Sequence, residues 1–143
     1  EASFVGPLGT IPGFARVITN CRDYTKLMQM LANGGIHNGE HILGRKTIDL
    51  IRTNTLTPTM IKEDFSNDYL AGYGYGYGMR TLMNRYEGQH NGMLGQFGWT
   101  GGSGTWAECD PETGLSIVYM HNLQPNLEQY HHLRMREVAY GCL

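Results

Sequence analysis

Phe97-Gly98-Trp99-Thr100-Gly101-Gly102-Ser103-Gly104-Thr105-Trp106 places an aromatic-Thr-Gly-Gly step directly before an apolar run, and the rest of the chain is best read outward from it. A strand that ends in Thr and two glycines offers a hydroxyl and bare backbone N–H groups, which a substrate oxygen can approach closely because Gly has no Cβ. That is half of an active site; a nucleophile and its base must come from elsewhere. Toward the C-terminus, Thr105 to Cys109, the turn Asp110-Pro111-Glu112-Thr113-Gly114 and Leu115 to His121 read as a hairpin. Toward the N-terminus, Asn84 to Gly95 is polar and reads as a loop close to the motif. Before it, Gly72 to Met79 alternates Gly with Tyr73, Tyr75 and Tyr77. Read as a strand, it carries its rings on one face and a smooth backbone on the other, where something packs closely.

The first half is helical. Asn20 with Asp23 three residues later makes a capped start, and Tyr24, Leu27, Met28 and Leu31 repeat as one apolar stripe until Gly34-Gly35 ends the helix. A second short helix is expected from about Arg45 to Arg52, with Ile48 and Ile51 inward. Residues 53–71, rich in Thr, Asn and Ser, read as a surface connection. After Gln124-Pro125-Asn126 a last helix is expected, with Leu127, Tyr130, Val138 and Ala139 turned to the sheet and His131-His132 solvated. The fold class is therefore α+β, an antiparallel sheet of about four strands with helices packed on it.

In this setting Trp99-Thr100-Gly101 resembles the third motif of the serine β-lactamase and penicillin-binding protein superfamily, which reads Lys-Thr-Gly or His-x-Gly there and Trp-x-Gly in related carboxylesterases. Four further segments are similar in the same order: the helix from Asp23-Tyr24 to Gly34-Gly35, Ile42-Leu43-Gly44-Arg45-Lys46-Thr47, Gly72-Tyr73-Gly74-Tyr75-Gly76, and Asp110-Pro111-Glu112-Thr113-Gly114-Leu115. The resemblance implies acyl transfer, in which a serine attacks an ester or amide carbonyl. It also implies that the N–H of Gly102 is one oxyanion donor, that Thr100 contacts the substrate's polar group or its leaving-group side, and that Gly101 keeps the strand flat for close approach. Trp99 stands where the lactam enzymes carry Lys. An indole cannot supply that positive charge, so neutral esters and amides are expected in preference to β-lactams.

The nucleophile motif Ser-x-x-Lys does not occur: Ser3, Ser66, Ser103 and Ser116 are followed at the third position by Gly6, Tyr69, Trp106 and Tyr119. Residues 1–143 are accordingly read as a C-terminal segment of such a domain, inactive alone, whose nucleophile-bearing N-terminal part lies outside it. An exposed strand edge or apolar patch is then expected to bind that part or a second copy. A noncatalytic binding or assembly module built on the same scaffold is the alternative reading.

Composition excludes other classes. A net charge of −2 with scattered Lys and Arg gives no field for nucleic acid, and no apolar stretch is long enough to span a bilayer. Cys21, Cys109 and Cys142 have neither disulfide-framework nor zinc-site spacing, read as buried thiols, and leave the compartment open. His37-Asn38-Gly39-Glu40-His41 spells a metalloprotease string, but its glycines would break the helix that such a site needs. No metal and no cofactor is called for. Residues 1–10, with Gly6, Pro7 and Gly9, read as an irregular lead-in.

Overall fold

The computed structural model describes residues 19–143, so the lead-in lies outside the described residues. Helix α1, Cys21–Ala32, starts as the sequence requires: the Asn20 side chain accepts from the Asp23 N–H at 3.0 Å and donates to its carboxylate at 2.8 Å. It ends in a Schellman turn, with Gly34 and Gly35 at φ +67° and +98° and the Gly35 N–H reaching the Met30 carbonyl. A two-stranded hairpin follows, β1 Ile36–His37 and β2 Glu40–His41, and then helix α2, Arg45–Ile51. His37 and His41 thus fall on opposite strands of a hairpin, not one turn apart on a helix.

The stretch 53–71 is not a plain connection: Thr57 caps helix α3, Pro58–Asp64, through its hydroxyl, and Pro58 opens the first turn. The weak apolar periodicity hid a helix that buries none of its residues. Proline at the first helical position with Thr before it was the local signal.

Five strands form one antiparallel sheet in sequential order: β3 Tyr73–Tyr75, β4 Arg80–Leu82, β5 Phe97–Thr100, β6 Trp106–Asp110 and β7 Leu115–Tyr119. The expected single strand Gly72 to Met79 is shorter, because the chain turns at Gly76–Gly78 and returns as β4; Tyr77 is left exposed on the turn. Alternating Tyr and Gly nevertheless has the reason proposed for it. A Cβ on Gly76 would meet the Ile51 carbonyl oxygen, and one on Gly74 would meet the Asn54 side chain, which accepts from the Tyr75 N–H. The segment after α2 thereby covers the β3 edge. A single turn of helix, α4 Arg85–Gly88, interrupts the loop before β5.

Every residue of β6 is buried because both faces of the sheet are covered. On one face Phe97, Ala107 and Cys109 pack with Met28, Leu31 and Ile48 in an apolar core under α1 and α2; of the three cysteines only Cys109 is buried as expected, while Cys21 and Cys142, at the start of α1 and after α5, are exposed. Truncating a core residue, Leu31→Ala for instance, costs about 2–5 kcal/mol. The other face is polar and lies under helix α5, Glu128–Tyr140. Here the structure reverses the expected orientation: Leu127, Tyr130 and Val138 are exposed, whereas His132 and Arg136 are fully buried. The inward stripe is His132, Arg136 and Tyr140, four residues apart, and His132 is not a solvated side chain. Burial is achieved by hydrogen bonds and an ion pair to polar groups of the sheet and its adjoining loops rather than by apolar contact.

Candidate active site

The motif residues occupy the end of β5 and the turn into β6. Register pairs Trp99 with Ala107 and Thr100 with Trp106, so successive side chains leave opposite faces of the sheet. Trp99 stands 40% exposed, edge-on to Tyr75 at 5.0 Å between ring centroids. Thr100 lies toward α5, and its hydroxyl donates to Glu128 Oε2 at 3.2 Å.

Beyond Thr100 the backbone makes a tight turn: Gly101 N–H donates to the Thr105 carbonyl at 2.8 Å and Gly104 N–H to the Gly101 carbonyl at 2.9 Å. A Cβ on Gly101 would strike the Thr105 hydroxyl, which would have to turn away to admit it. Gly102 sits at the apex, exposed, with nothing within 4 Å of where a Cβ would be. Its carbonyl is held by Gln124 Nε2 at 2.8 Å, while its N–H has no acceptor among the described residues. Ser103 Oγ also accepts from Gln124, at 3.2 Å. No Lys or His hydrogen-bonds that hydroxyl among the described residues, so nothing there activates it as a nucleophile.

The turn is braced from behind by His132. Gly104 O can only accept, so His132 Nε2, 2.8 Å away, carries the proton. Its Nδ1 then accepts from the Tyr69 hydroxyl at 2.7 Å, whose oxygen accepts from Arg80 Nη2 at 3.1 Å. Trp106 stacks on the imidazole at 5.4 Å between centroids. Burial and the nearby Arg80 and Arg136 charges lower the His132 pKa to about 4, although the bond to Gly104 works the other way. The ring is neutral at pH 7, as this chain of donors and acceptors requires.

Arg80 also belongs to a buried cluster between β5, β6 and α5. Glu108, opposite Gly98, accepts from Gln96 Nε2 at 2.7 Å and Arg136 Nε at 3.2 Å, and lies 3.8 Å from Arg80 Nη2. Gly98 is therefore flanked by an ion pair, and a Cβ there would run into the β6 backbone. Tyr140 donates from its hydroxyl to this group, 2.7 Å from Gln96 Oε1 and 3.0 Å from Asp110 Oδ2. Burial first, then Glu108 and Asp110, raise the Tyr140 pKa and keep the phenol protonated. Burial disfavours the Arg136 charge, but Glu108 and the phenols of Tyr73 and Tyr69 outweigh it, and its pKa is raised. His90 donates from Nε2 to the Tyr73 oxygen at 2.8 Å while its Nδ1 accepts from the Gly92 N–H; burial and the arginines lower its pKa to about 3.

None of these supporting residues was singled out for a role from the sequence. The signal was present as Glu108 and Asp110 at period two in one strand, with Arg80 and Gln96 polar beside it, facing a period-four polar stripe on the last helix. An open depression of about 610 Å³ lies elsewhere, lined by Asp49, Arg52, Asn54, Thr81 and Leu94 among others, and includes none of Trp99, Thr100, Gly101 or Gly102. The motif turn lies at the end of the central strand β5, and this depression does not reach it. Among the described residues no three His, Cys, Asp or Glu side chains are grouped to hold a metal, and no helix is long and apolar enough to cross a membrane.

Comparison with known proteins agrees with this architecture. The chain resembles protein Rv1367c of Mycobacterium tuberculosis (strain ATCC 25618 / H37Rv), with 28% identity over 109 residues, 73% of this chain and 27% of that protein. Among solved structures, EstCE1, a hydrolase with promiscuous acyltransferase activity, superposes with a TM-score of 0.68 at 22% identity over 85% of this chain and 30% of its own. A penicillin-binding protein homologue from Caulobacter crescentus gives 0.65 at 25% identity over 82% of this chain and 30% of its own. The chain thus spans about a third or less of the length of the proteins it matches. Residues 3–140 match the family model described as Beta-lactamase, and the chain belongs to the beta-lactamase family.

Proposed function

We propose that this chain is the C-terminal part of a serine hydrolase domain that carries out acyl transfer on ester or amide substrates. It would supply the third active-site motif and one half of the oxyanion hole. The observation that carries this reading is the Gly102 N–H, open at the exposed apex of a turn held in place by the Gly101–Thr105 and Gly104–Gly101 backbone bonds and by Gln124 on the Gly102 carbonyl. A preorganised donor of this kind contributes about 10²–10³ in rate when aimed at a developing oxyanion. Thr100 and Gly101 would line the substrate beside it, with Trp99 at the same strand end.

The nucleophile and its base would come from outside these residues, since no serine of the chain begins a Ser-x-x-Lys motif. Two surfaces suit the part that brings them. β7 ends the sheet with no strand beyond it among the described residues, and Leu127, just before α5, forms an exposed stripe with Tyr130 and Val138 on it. A second copy of the chain would compete for both. The test is hydrolysis of p-nitrophenyl acetate by the purified chain, alone and after mixing with a family N-terminal segment that carries Ser-x-x-Lys. Turnover only in the mixture is expected; turnover by the chain alone would overturn the reading.

A further inference from the structure

Glu128 occupies a place at the motif that the acyl-transfer reading leaves unused. It is the first residue of α5, and its Oε2 takes the Thr100 hydroxyl at 3.2 Å and Asn126 Nδ2 at 3.4 Å. Oε1 has no hydrogen-bond partner and the carboxylate has no ion-pair partner among the described residues, although the side chain is only half-exposed. The buried arginines do not serve it, since Arg80 and Arg136 are both committed to Glu108. Behind the Gly104 turn, burial raises the Tyr69 pKa and Arg80 opposes it, with Glu128 adding a smaller raising influence.

The direction of the Thr100 hydrogen bond has a chemical consequence. Because the hydroxyl proton is given to Glu128, Thr100 presents only lone pairs to a ligand. A lone-pair acceptor beside a carboxylate with no cationic partner among the described residues favours positive charge or N–H donors and disfavours anions, even though the α5 N-terminus offsets part of the charge. We propose that Glu128 is a specificity-determining residue that selects ester or amide substrates bearing an ammonium group at the end facing Thr100, and disfavours those bearing a carboxylate.

This inference rests on the site reading above, and the experiment separates the two. ¹⁵N-labelled chain is titrated at millimolar concentration with acetylcholine, with its neutral isostere 3,3-dimethylbutyl acetate, and with a succinate monoester, while the Thr100 to Gly104 amides are followed. Acetylcholine is expected to bind about threefold more tightly than the isostere, the scale of a partly exposed ion pair, with the monoester weakest. In Glu128→Gln the three should become equal. Equal binding of all three to the unaltered chain would overturn the role of Glu128 while leaving the site reading intact. So would a preference that survives Glu128→Gln. No shift at Thr100 to Gly104 with any ester would overturn both. The comparison in the unaltered chain does not depend on the variant's folding.

Discussion

Glu108→Gln strikes the polar half of the interior at its centre. Four buried charges meet between the sheet and α5, Arg80 and Arg136 against Glu108 and Asp110, and of these carboxylates only Glu108 lies within ion-pair distance of a guanidinium. Neutralising it leaves Arg80 and Arg136 facing each other through an amide. Arg80 Nε and Nη1 and Arg136 Nη1 already have no partner among the described residues, so no spare acceptor can take over. Removing one member of a buried pair costs about 3–5 kcal/mol, and the amide oxygen retains one acceptor, which puts this variant at about 3 kcal/mol. At this chain length that is roughly 10 °C in Tm. Arg136→Met is the control, because it leaves Glu108 with Arg80 and should cost less. Urea unfolding followed by tryptophan fluorescence reads both, since Trp106 is buried 5.5 Å from the Arg136 guanidinium. A Glu108→Gln midpoint equal to that of the parent chain, or a larger loss in Arg136→Met, would refute the view that Glu108 neutralises the cluster.

Stability should fall as the solution is acidified from pH 7 to 5.5, before ordinary carboxylates titrate. His90 and His132 have folded pKa values of about 3 and about 4 against 6.5 when unfolded, so the unfolded chain binds the extra protons. Their contribution is full above 6.5 and is lost progressively toward the folded values; a flat urea midpoint across this range would contradict their buried, neutral state. Gly76→Ala should destabilise the chain by about 2 kcal/mol through the Ile51 carbonyl, whereas Gly102→Ala, with open space around it, should stay within about 0.5 kcal/mol; equal midpoints for the two variants would refute the packing argument. In a completed enzyme, Trp99→Lys should raise kcat/KM for an anionic lactam relative to a neutral ester, and an unchanged ratio in a folded variant would remove Trp99 from the substrate's path.

What the sequence disclosed follows from how local each cause is. The α1 cap at Asn20, its glycine stop and the β6–β7 hairpin around Asp110 are set by neighbouring residues, and all were legible. β4 was not, because three residues between a glycine turn and a polar loop carry too little period to show as a strand. The orientation of α5 was misjudged for a different reason. Apolar periodicity picks the inward face of a helix only when the surface it meets is apolar, and here Glu108, Gln96 and Asp110 make it polar. The motif turn was legible as a string, but its support by His132 and Gln124 depends on contacts 28 and 22 residues away in the chain. Such pairings have no local signature.

The central claim is that Gly102 serves a nucleophile carried by another segment. Intact-mass analysis after treatment with a fluorophosphonate tests it most directly, on the chain alone and on the chain mixed with a family N-terminal segment bearing Ser-x-x-Lys. The expected result is no adduct on the isolated chain and a single adduct in the mixture, on the N-terminal segment. Stoichiometric labelling of Ser3, Ser66, Ser103 or Ser116 in the isolated chain would contradict the account.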